Sequence, residues 1–428
     1  MKLKAVVIAA GQGVRLLPIT ETKPKHMVPI GGKPVIEHIV DCLASNRIEE
    51  LLLVVGYRKE TIQQYLGNGE QIGVKVDYVV QAGVLGTGHA VGLAERYVGD
   101  GDFLVVNGDL LITPETIGRV LKTHEQSPSK TVMAVVPVPN AKEYGIVSLD
   151  GDRVVEIAEK PESIGALGNL ANAGLYVFKK NIFGAIEETP KSVRGEFEIT
   201  DSVRILIEKG VEIHAARIDP SGWMDIGCPW DLLEANKRVL EKAKPKIDGE
   251  VEDGAKLVGP IIVSNGARVK SGAYIEGPIF IGEYSEIGPN CHIRPFTSIG
   301  KNVKIGNACE VKNSIIMDGT KIPHLSYVGD SVIGENCNFG AGTNIANLRL
   351  DDKTVRMVVG GKLVDSGRRK LGAIVGDNVK TAINVSFMPG VKVGSNTLIG
   401  SNVIVHRDLP SGVLVLQKQE LEFEKQRM

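Results

Sequence analysis

The sequence predicts an α/β domain of Rossmann-like type with a mainly parallel sheet, followed by a left-handed parallel β-helix of hexapeptide repeats. Three observations carry this. Short continuous apolar runs alternate with helical patterns over residues 1–230, and a six-residue apolar register begins at Val251. The chain, at 428 residues, also exceeds what a single ordinary core organises.

The apolar runs Ala5-Val6-Val7-Ile8-Ala9, Leu51-Leu52-Leu53-Val54-Val55 and Phe103-Leu104-Val105-Val106 suit strands buried on both faces of a sheet. Between them, Val35 to Leu43 and Thr61 to Leu66 carry helical spacing. Residues 231–244 read as one helix, with Asp231 as its cap, a stripe of Leu232, Leu233, Val239 and Leu240, and Pro245 as its stop. The expected division is an α/β domain over 1–230, a linker helix over 231–248, a β-helix over 249–410 and a tail over 411–428.

In the second half an apolar residue recurs at every sixth position: Val251, Leu257, Val263, Val269, Ile275, Ile281, Ile287, Ile293, Ile299, Ile305 and Val311. Each side chain points inward from one flat face, and eighteen residues close a triangular coil. Small residues such as Ala267, Ala273, Ser285, Cys291 and Cys309 fall four positions later, near the corners. The register resumes at Tyr327, Ile333, Phe339 and Ile345, then from Val375 through Thr381, Phe387, Val393 and Ile399 to Val405. The stretch from Val311 to Tyr327 predicts an extruded loop, and residues 346–374 a second excursion. Cys291, Cys309 and Cys337 fall at the small inward position. A redox pair or metal site is the functional alternative there, but the size of the slot favours buried small hydrophobes.

Composition excludes several function classes. A net charge of −1 disfavours a nucleic-acid or membrane-surface role. No apolar run is long enough to cross a bilayer. The start, Met1-Lys2-Leu3-Lys4-Ala5, runs into a strand without the layout of a signal peptide. Five scattered Cys without a C-x-x-C pair argue against a disulfide framework or zinc site. The cytoplasm is the expected compartment.

The first strand ends in Ala9-Ala10-Gly11-Gln12-Gly13-Val14-Arg15-Leu16. Such a Gly-rich turn lets backbone N–H groups approach a phosphate chain. It is neither a dinucleotide fingerprint, since Leu16 replaces the third Gly, nor a P-loop, since no Gly-Lys-Ser/Thr follows.

Gly11 to Arg15 with Pro18, followed by Lys23-Pro24-Lys25-His26-Met27-Val28-Pro29, resembles the sugar-1-phosphate nucleotidylyltransferases. The segments that follow in order are Gln81 with Leu85-Gly86-Thr87-Gly88-His89-Ala90, Asn107-Gly108-Asp109, Glu159-Lys160-Pro161 with Asn172-Ala173-Gly174, and Trp223-Met224-Asp225-Ile226-Gly227. The reaction joins a sugar phosphate to the α-phosphate of a nucleoside triphosphate and releases pyrophosphate, so it rests on positioning and charge neutralisation. The resemblance implies that Gly11, Gly13 and Arg15 hold the triphosphate and that Lys25 stabilises charge on the reacting phosphate. It assigns Asp109 and Asp225 to Mg²⁺, and Gln81, Gly86 and Thr87 to the nucleotide. Gly145, Glu159 and Asn172 would hold sugar hydroxyls, and Lys160 the sugar phosphate.

The later stretch Pro323-His324-Leu325-Ser326-Tyr327-Val328-Gly329-Asp330, with Cys337-Asn338-Phe339-Gly340, resembles the acetyltransferase half of bifunctional UDP-N-acetylglucosamine pyrophosphorylase / glucosamine-1-phosphate N-acetyltransferases. That likeness makes His324 the base and gives the amino-sugar phosphate to Arg294, Lys312, Tyr327 and Asn338. It places Asn347, Ala382, Ser401 and Lys418 at acetyl-CoA. Leu348 stands where that family has an aromatic, and Ile383 where it has Ser. The 346–374 excursion, with Arg368-Arg369-Lys370, also departs; this basic triplet could meet CoA phosphates or form a solvated loop tip.

The N-terminal motifs mix features of thymidylyl- and uridylyltransferases, as archaeal-type relatives do. The implied protein is a bifunctional, homotrimeric enzyme using Mg²⁺, acetyl-CoA and UTP or dTTP. It would make UDP-N-acetylglucosamine without nucleic-acid or membrane partners. Two alternatives stay open. One is a glucose-1-phosphate thymidylyltransferase whose β-helix only oligomerises. The other is a non-catalytic regulatory or scaffold subunit, against which the retained Arg15, Lys25, Asp109 and Asp225 speak.

Overall fold

The structure, a computed structural model, describes residues 3–161 and 168–424. Residues 162–167 lie outside it, as do Met1 and Lys2 of the expected lead-in and the last four residues of the expected tail. The chain forms two compact units. One comprises Met1–Gly13, Lys23–Val28 and Lys33–Ile226; the other comprises Val14–Thr22, Pro29–Gly32 and Gly227–Met428.

In the first unit the apolar runs form adjacent parallel strands, in the order Lys75–Val80, Glu50–Val55, Lys4–Ala9 and Phe103–Asn107. Successive side chains on a strand point to opposite faces, so Ala5, Val7 and Ala9 enter one core layer and Val6 and Ala10 the other. Helices Val35–Ser45 and Pro114–Gln126 cover the first layer, while Thr87–Gly92, Asn181–Glu188 and Ile199–Glu208 cover the second. Beyond Phe103–Asn107 the sheet is mixed. Leu170–Phe178 runs antiparallel to Phe103–Asn107 and Val132–Pro137, and the edge pair Gly145–Asp150 and Arg153–Glu159 is antiparallel. Parallel order therefore holds on the side that bears the Gly-rich loop.

The second unit holds helix Pro229–Glu241, which starts two residues before the expected Asp231. Proline fits the first turn because its fixed φ is already helical and it has no N–H to leave unpaired. Asp231 works from inside that turn, its carboxylate accepting from the N–H groups of Gly227 (3.0 Å) and Cys228 (2.6 Å). The helix docks on the coils through Asn236, which donates to the Phe296 carbonyl and accepts from the Ser298 hydroxyl.

The coils stack as three parallel sheets of short strands, a left-handed β-helix. Val263, Ile281 and Ile299 line the interior of the first face, Val269, Ile287 and Ile305 the second, and Ile275, Ile293 and Val311 the third. The loop expected after Val311 is absent. Val311 pairs with Val328, and the buried residues run Val311, Ile316, Ile322, Val328, Ile333, Phe339, Ile345. The steps from Val311 to Ile316 and from Val328 to Ile333 are five residues rather than six. Each coil here is shortened by one residue on one side, and Val328, not Tyr327, is the inward residue. The second excursion is present and carries the hairpin Arg356–Val359 with Lys362–Asp365.

Phe339 is fully buried and packs inside the coil against Phe387, with ring centroids 6.1 Å apart and ring planes tilted by 31°. Phe339→Ala is expected to destabilise the β-helix by about 3–5 kcal/mol, because the rigid coil cannot collapse around the void. Denaturant unfolding followed by far-ultraviolet dichroism measures this, and a loss below about 1 kcal/mol would show that the coil yields.

Candidate functional site

Two clusters of chemistry-bearing side chains emerge, one in each unit. In the first unit the Gly-rich loop follows strand Lys4–Ala9. Gly13 has φ +77°, and a Cβ there would lie 2.8 Å from Cβ of Lys25, so loop and lysine stem are packed together. The Lys25 ammonium forms an ion pair with the carboxylate of Asp109. Gly108 lets this turn close: a Cβ there would sit 2.5 Å from the Ile8 carbonyl oxygen.

Burial alone would raise the Asp109 carboxyl, but the Lys25 ammonium outweighs it and holds the group below the ordinary carboxylate range. His26 beside them is pushed down to about 3, first by burial and then by Lys25, so it is neutral. Asp225 lies on the neighbouring strand Trp223–Asp225, in register with Leu110, and the Ile226 N–H donates to the Asp109 carbonyl. Asp109 lies in the turn just before strand Leu110–Ile112, so the two expected metal ligands flank the same strand pairing.

Among the described residues no group of three or more His, Cys, Asp or Glu is clustered as for a metal. Two carboxylates nonetheless fit Mg²⁺, which keeps several waters and takes further oxygens from substrate phosphates.

The residues expected at the base also meet. Gln81 is buried and donates from Nε2 to the Gly86 carbonyl at 3.0 Å, with His89 Nδ1 at 3.1 Å. Gly86 has φ +91°, and a Cβ would meet the Phe197 carbonyl oxygen at 2.5 Å. Thr87 accepts from the Ile199 N–H.

At the other rim Glu159 is in register with Gly145, where an added Cβ would lie 2.9 Å from Glu159 Oε2 and 3.7 Å from Cβ of Asn172. These three expected sugar contacts are therefore neighbours. Lys160 follows in a left-handed conformation, exposed. Arg194 was missed by sequence reasoning: it donates to Glu159 (3.4 Å) and Glu198 (2.8 Å). Its nearest signal is the i,i+4 spacing to Glu198, which is common on any surface. Burial raises the Glu159 carboxyl above its ordinary range despite Lys160 and Arg194.

Arg15 belongs to the second unit, on the turn Val14–Leu16. Its guanidinium lies 3.0 Å from where a Cβ on Gly227 would stand, so that glycine makes room for it.

The second cluster lies on the third face of the β-helix. Arg294 donates to Glu310 at 2.8 Å. Lys312, Asp330, Asn347 and Tyr327 form one connected group. Lys312 Nζ is 3.1 Å from Asp330, and Asn347 Nδ2 donates to Asp330 (2.6 Å) and to the Tyr327 hydroxyl (3.1 Å). Burial pushes the Tyr327 phenol up, and the charges of Asp330 and Glu310 add to this. Its proton is held at neutral pH.

His324 ends strand Lys321–His324 on the second face and is exposed, at an ordinary coil corner rather than on an extruded loop. A groove of about 570 Å³ opens beside that corner, lined by His292, Glu310, Leu325, Ser326, Tyr327 and Asn344.

Asn338 is elsewhere, exposed on the second face and in register with Lys321. Ala382 and Ser401 follow that face at successive coils, and Lys418 is exposed on the tail. No hydrogen bond among those described joins these four to the Lys312 cluster. Asp330 and Glu310 were not singled out by sequence; the stacking of one coil on the next places each beside its cation. The three coil cysteines are buried, and burial holds the Cys291 thiol up at about 12, with Cys309 contributing next. Of the basic triplet, Arg368 pairs with Glu234 and Arg369 with Asp352.

Comparison with known proteins bears on both clusters. Residues 4–242 match the nucleotidyl transferase family, 275–387 the GMPPB C-terminal domain, and 372–407 six bacterial transferase hexapeptide repeats. The chain is 50% identical to the bifunctional protein GlmU of Methanococcus maripaludis over 99% of its own length and 100% of that protein's. It is 42% identical to the bifunctional sugar-1-phosphate nucleotidylyltransferase/acetyltransferase of Sulfurisphaera tokodaii, covering 96% of this chain and 99% of that one. The crystal structure of a putative glucose-1-phosphate thymidylyltransferase from Bacillus anthracis superposes with a TM-score of 0.51 at 29% identity, over 57% of this chain and 98% of that one. Such a likeness stops at the first half, whereas the bifunctional proteins match end to end. The chain belongs to the family of bifunctional GlmU-type nucleotidylyltransferase/acetyltransferases.

Proposed function

We propose that the chain makes UDP-N-acetylglucosamine in two steps, acetylating glucosamine-1-phosphate with acetyl-CoA and then uridylylating the product with UTP. One observation carries this reading: two separately built cation–carboxylate clusters, Lys25–Asp109 in one unit and Lys312–Asp330 in the other, along a full-length match to bifunctional relatives.

In uridylyl transfer a phosphate oxygen of the sugar phosphate attacks the α-phosphorus. The new P–O bond forms as the bond to pyrophosphate breaks. Backbone N–H groups of Gly11 to Gly13 and Arg15 hold the triphosphate, and Lys25 offsets charge on the reacting phosphate. Gln81, Gly86 and Thr87 hold the base, with Gly145, Glu159 and Asn172 on the sugar and Lys160 on its phosphate. Asp109 and Asp225 would hold Mg²⁺, which when bound supplies charge neutralisation at the phosphates.

In acetyl transfer the amine attacks the thioester carbonyl, the C–N bond forms, and the CoA thiolate leaves. An ammonium lacks the required lone pair. The His324 imidazole, acting as general base, takes its proton. Arg294, Lys312, Tyr327 and Asn338 hold the sugar phosphate, and Asn347, Ala382, Ser401 and Lys418 meet the acetyl donor. We propose a homotrimer through the β-helix and a cytoplasmic location. The hexapeptide repeats support assembly, and light scattering that returns a monomer would overturn the trimer. No helix among the described residues is long and apolar enough to cross a membrane.

Full-length protein supplied with UTP or dTTP and each sugar-1-phosphate, with pyrophosphate and free CoA followed separately, tests the assignment. Preference for dTTP and glucose-1-phosphate, without CoA release, would favour the thymidylyltransferase alternative instead. Asp109→Ala is expected to abolish pyrophosphate release and spare acetyl transfer; a few-fold loss only would remove Asp109 from the metal site. His324→Ala is expected to slow CoA release by roughly 10²–10⁴-fold, the range of a lost general base, with pyrophosphate release unchanged.

Glu159→Gln tests a conflict between site and stability. The carboxyl of Glu159 titrates higher in the fold than in the unfolded chain, so the folded state favours its protonated form. Stability is therefore lost as pH rises from the unfolded value, roughly 4.3, through the folded one. The amide is expected to raise the melting temperature at pH 7, to leave it unchanged well below pH 4, and to weaken sugar-phosphate binding. A lower melting temperature at pH 7 would contradict this.

A further inference from the structure

We propose that Asp330 is a positioning residue of the acetyl-transfer site, holding Lys312 where it receives the amino-sugar phosphate and Asn347 where it faces the acetyl donor. This rests on the acetyltransferase reading of that face.

Asp330 sits at a coil corner with φ +51°. Among the described residues eight left-handed positions of the coils carry Asn (Asn290, Asn302, Asn313, Asn336, Asn378, Asn384, Asn396 and Asn402), and others carry Tyr284, Phe296, Ala308 and Leu325. A carboxylate is thus not what such a corner requires, and Asn is its commonest non-glycine occupant. The backbone of Asp330 is fixed independently, its N–H donating to the Lys312 carbonyl (2.9 Å) and its carbonyl accepting from Gly372 (2.8 Å). The carboxylate is therefore not needed to shape the turn.

What the carboxylate does is gather donors. Its side chain is 5% exposed. One oxygen accepts from Asn313 Nδ2 at 2.7 Å; the other takes Lys312 Nζ at 3.1 Å and Asn347 Nδ2 at 2.6 Å. An Asn side chain offers a single acceptor oxygen, and its NH₂ would face one of these donors. Burying a carboxylate is costly unless it is paired and hydrogen-bonded, as here. Gly329 completes the arrangement, since a Cβ there would strike the Tyr327 hydroxyl at 2.5 Å and the Asn347 amide at 2.7 Å. An ammonium has three N–H donors, so Lys312 can keep one on Asp330 and turn another to a phosphate oxygen. Asp330 touches no substrate in this scheme; it sets where Lys312 and Asn347 stand.

The test is Asp330→Asn in the full-length protein, with steady-state acetyl transfer, pyrophosphate release and thermal melting measured together. The expected result is a rise in KM for glucosamine-1-phosphate of roughly tenfold or more, the loss of a charge-assisted bond, with a smaller fall in kcat. Pyrophosphate release should stay at the wild-type rate. Lys312→Met and the double variant complete a cycle: if Asp330 acts through Lys312, the double variant loses little beyond Lys312→Met alone. An unchanged KM, or losses that simply multiply, would overturn the proposal. If Asp330→Asn does not fold, Asp330→Gly, which the left-handed corner accepts, is read by the same two outcomes. Wild type and His324→Ala serve as controls. Should wild type release no CoA with any amino-sugar phosphate, the acetyltransferase reading falls and this inference with it. A dead His324→Ala beside an unimpaired Asp330→Asn removes Asp330 alone.

Discussion

Burial of a single side chain on each face of each coil governs the second half of this protein. Val311, Val328 and Ile345 stack directly, each fully buried, and their alignment fixes which neighbours face outward. Each buried aliphatic side chain contributes about 1.5–3 kcal/mol, and the backbone N–H and C=O groups pair from coil to coil. A coil cannot rotate in its stack without exposing its inward residues. The outward residues Glu310, Tyr327 and Asn344 therefore stand one above another, and Lys312 is level with Gly329. The site on this face is as rigid as the core behind it, a property general to functional groups mounted on regular elements rather than loops.

Shortened coils add to this. Where Val311 steps to Ile316 in five residues, the corner is tighter, and Asp330 in the next coil comes beside Lys312 and Asn313. Lys312 is level with Gly329, and Asp330, one residue further along, reaches its ammonium from the corner it shares with Asn313.

The α/β half was legible because continuous apolar runs and ordered motifs are strong signals. Gly145, Glu159 and Asn172 are far apart in sequence, yet the motifs placed them together and the strands bring them into contact. The β-helix was legible for the same reason, since its period is its packing. Other features were hidden in physical terms. One deleted residue on one side of a coil looks like a broken register, which is why Tyr327 was read as inward and a loop was expected. Asp231 reads as a helix cap in sequence, but Pro229 can start the helix two residues sooner and leave Asp231 to reach back from within to the N–H groups of Gly227 and Cys228. Asp330 and Arg194 were invisible because neither lies near its partners in sequence with a spacing that stands out. Their importance is a matter of burial and of which charges they meet.

A common logic links the two clusters. Each carries cations, as the phosphate-binding roles proposed for them require, and an unpaired cation held in a partly buried site is destabilising. Lys25 lies against Asp109, Lys312 against Asp330, and Arg294 against Glu310. These carboxylates keep the sites neutral and oriented while empty. Their consequences differ with burial. Arg294 and Glu310 are both well exposed, so solvent screens their attraction and a phosphate can compete for the guanidinium. Asp330 is nearly inaccessible, so water competes poorly for the oxygens that hold Lys312. Asp109 is likewise held ionised by its lysine, against the cost of its burial. In the function proposed above, Asp109 and Asp225 would hold Mg²⁺, and a bound cation would supply charge neutralisation at the phosphates. Lys25 would then have two anionic neighbours to serve, the carboxylate and the reacting phosphate, whereas Lys312 would keep the one carboxylate that the coil fixes beside it.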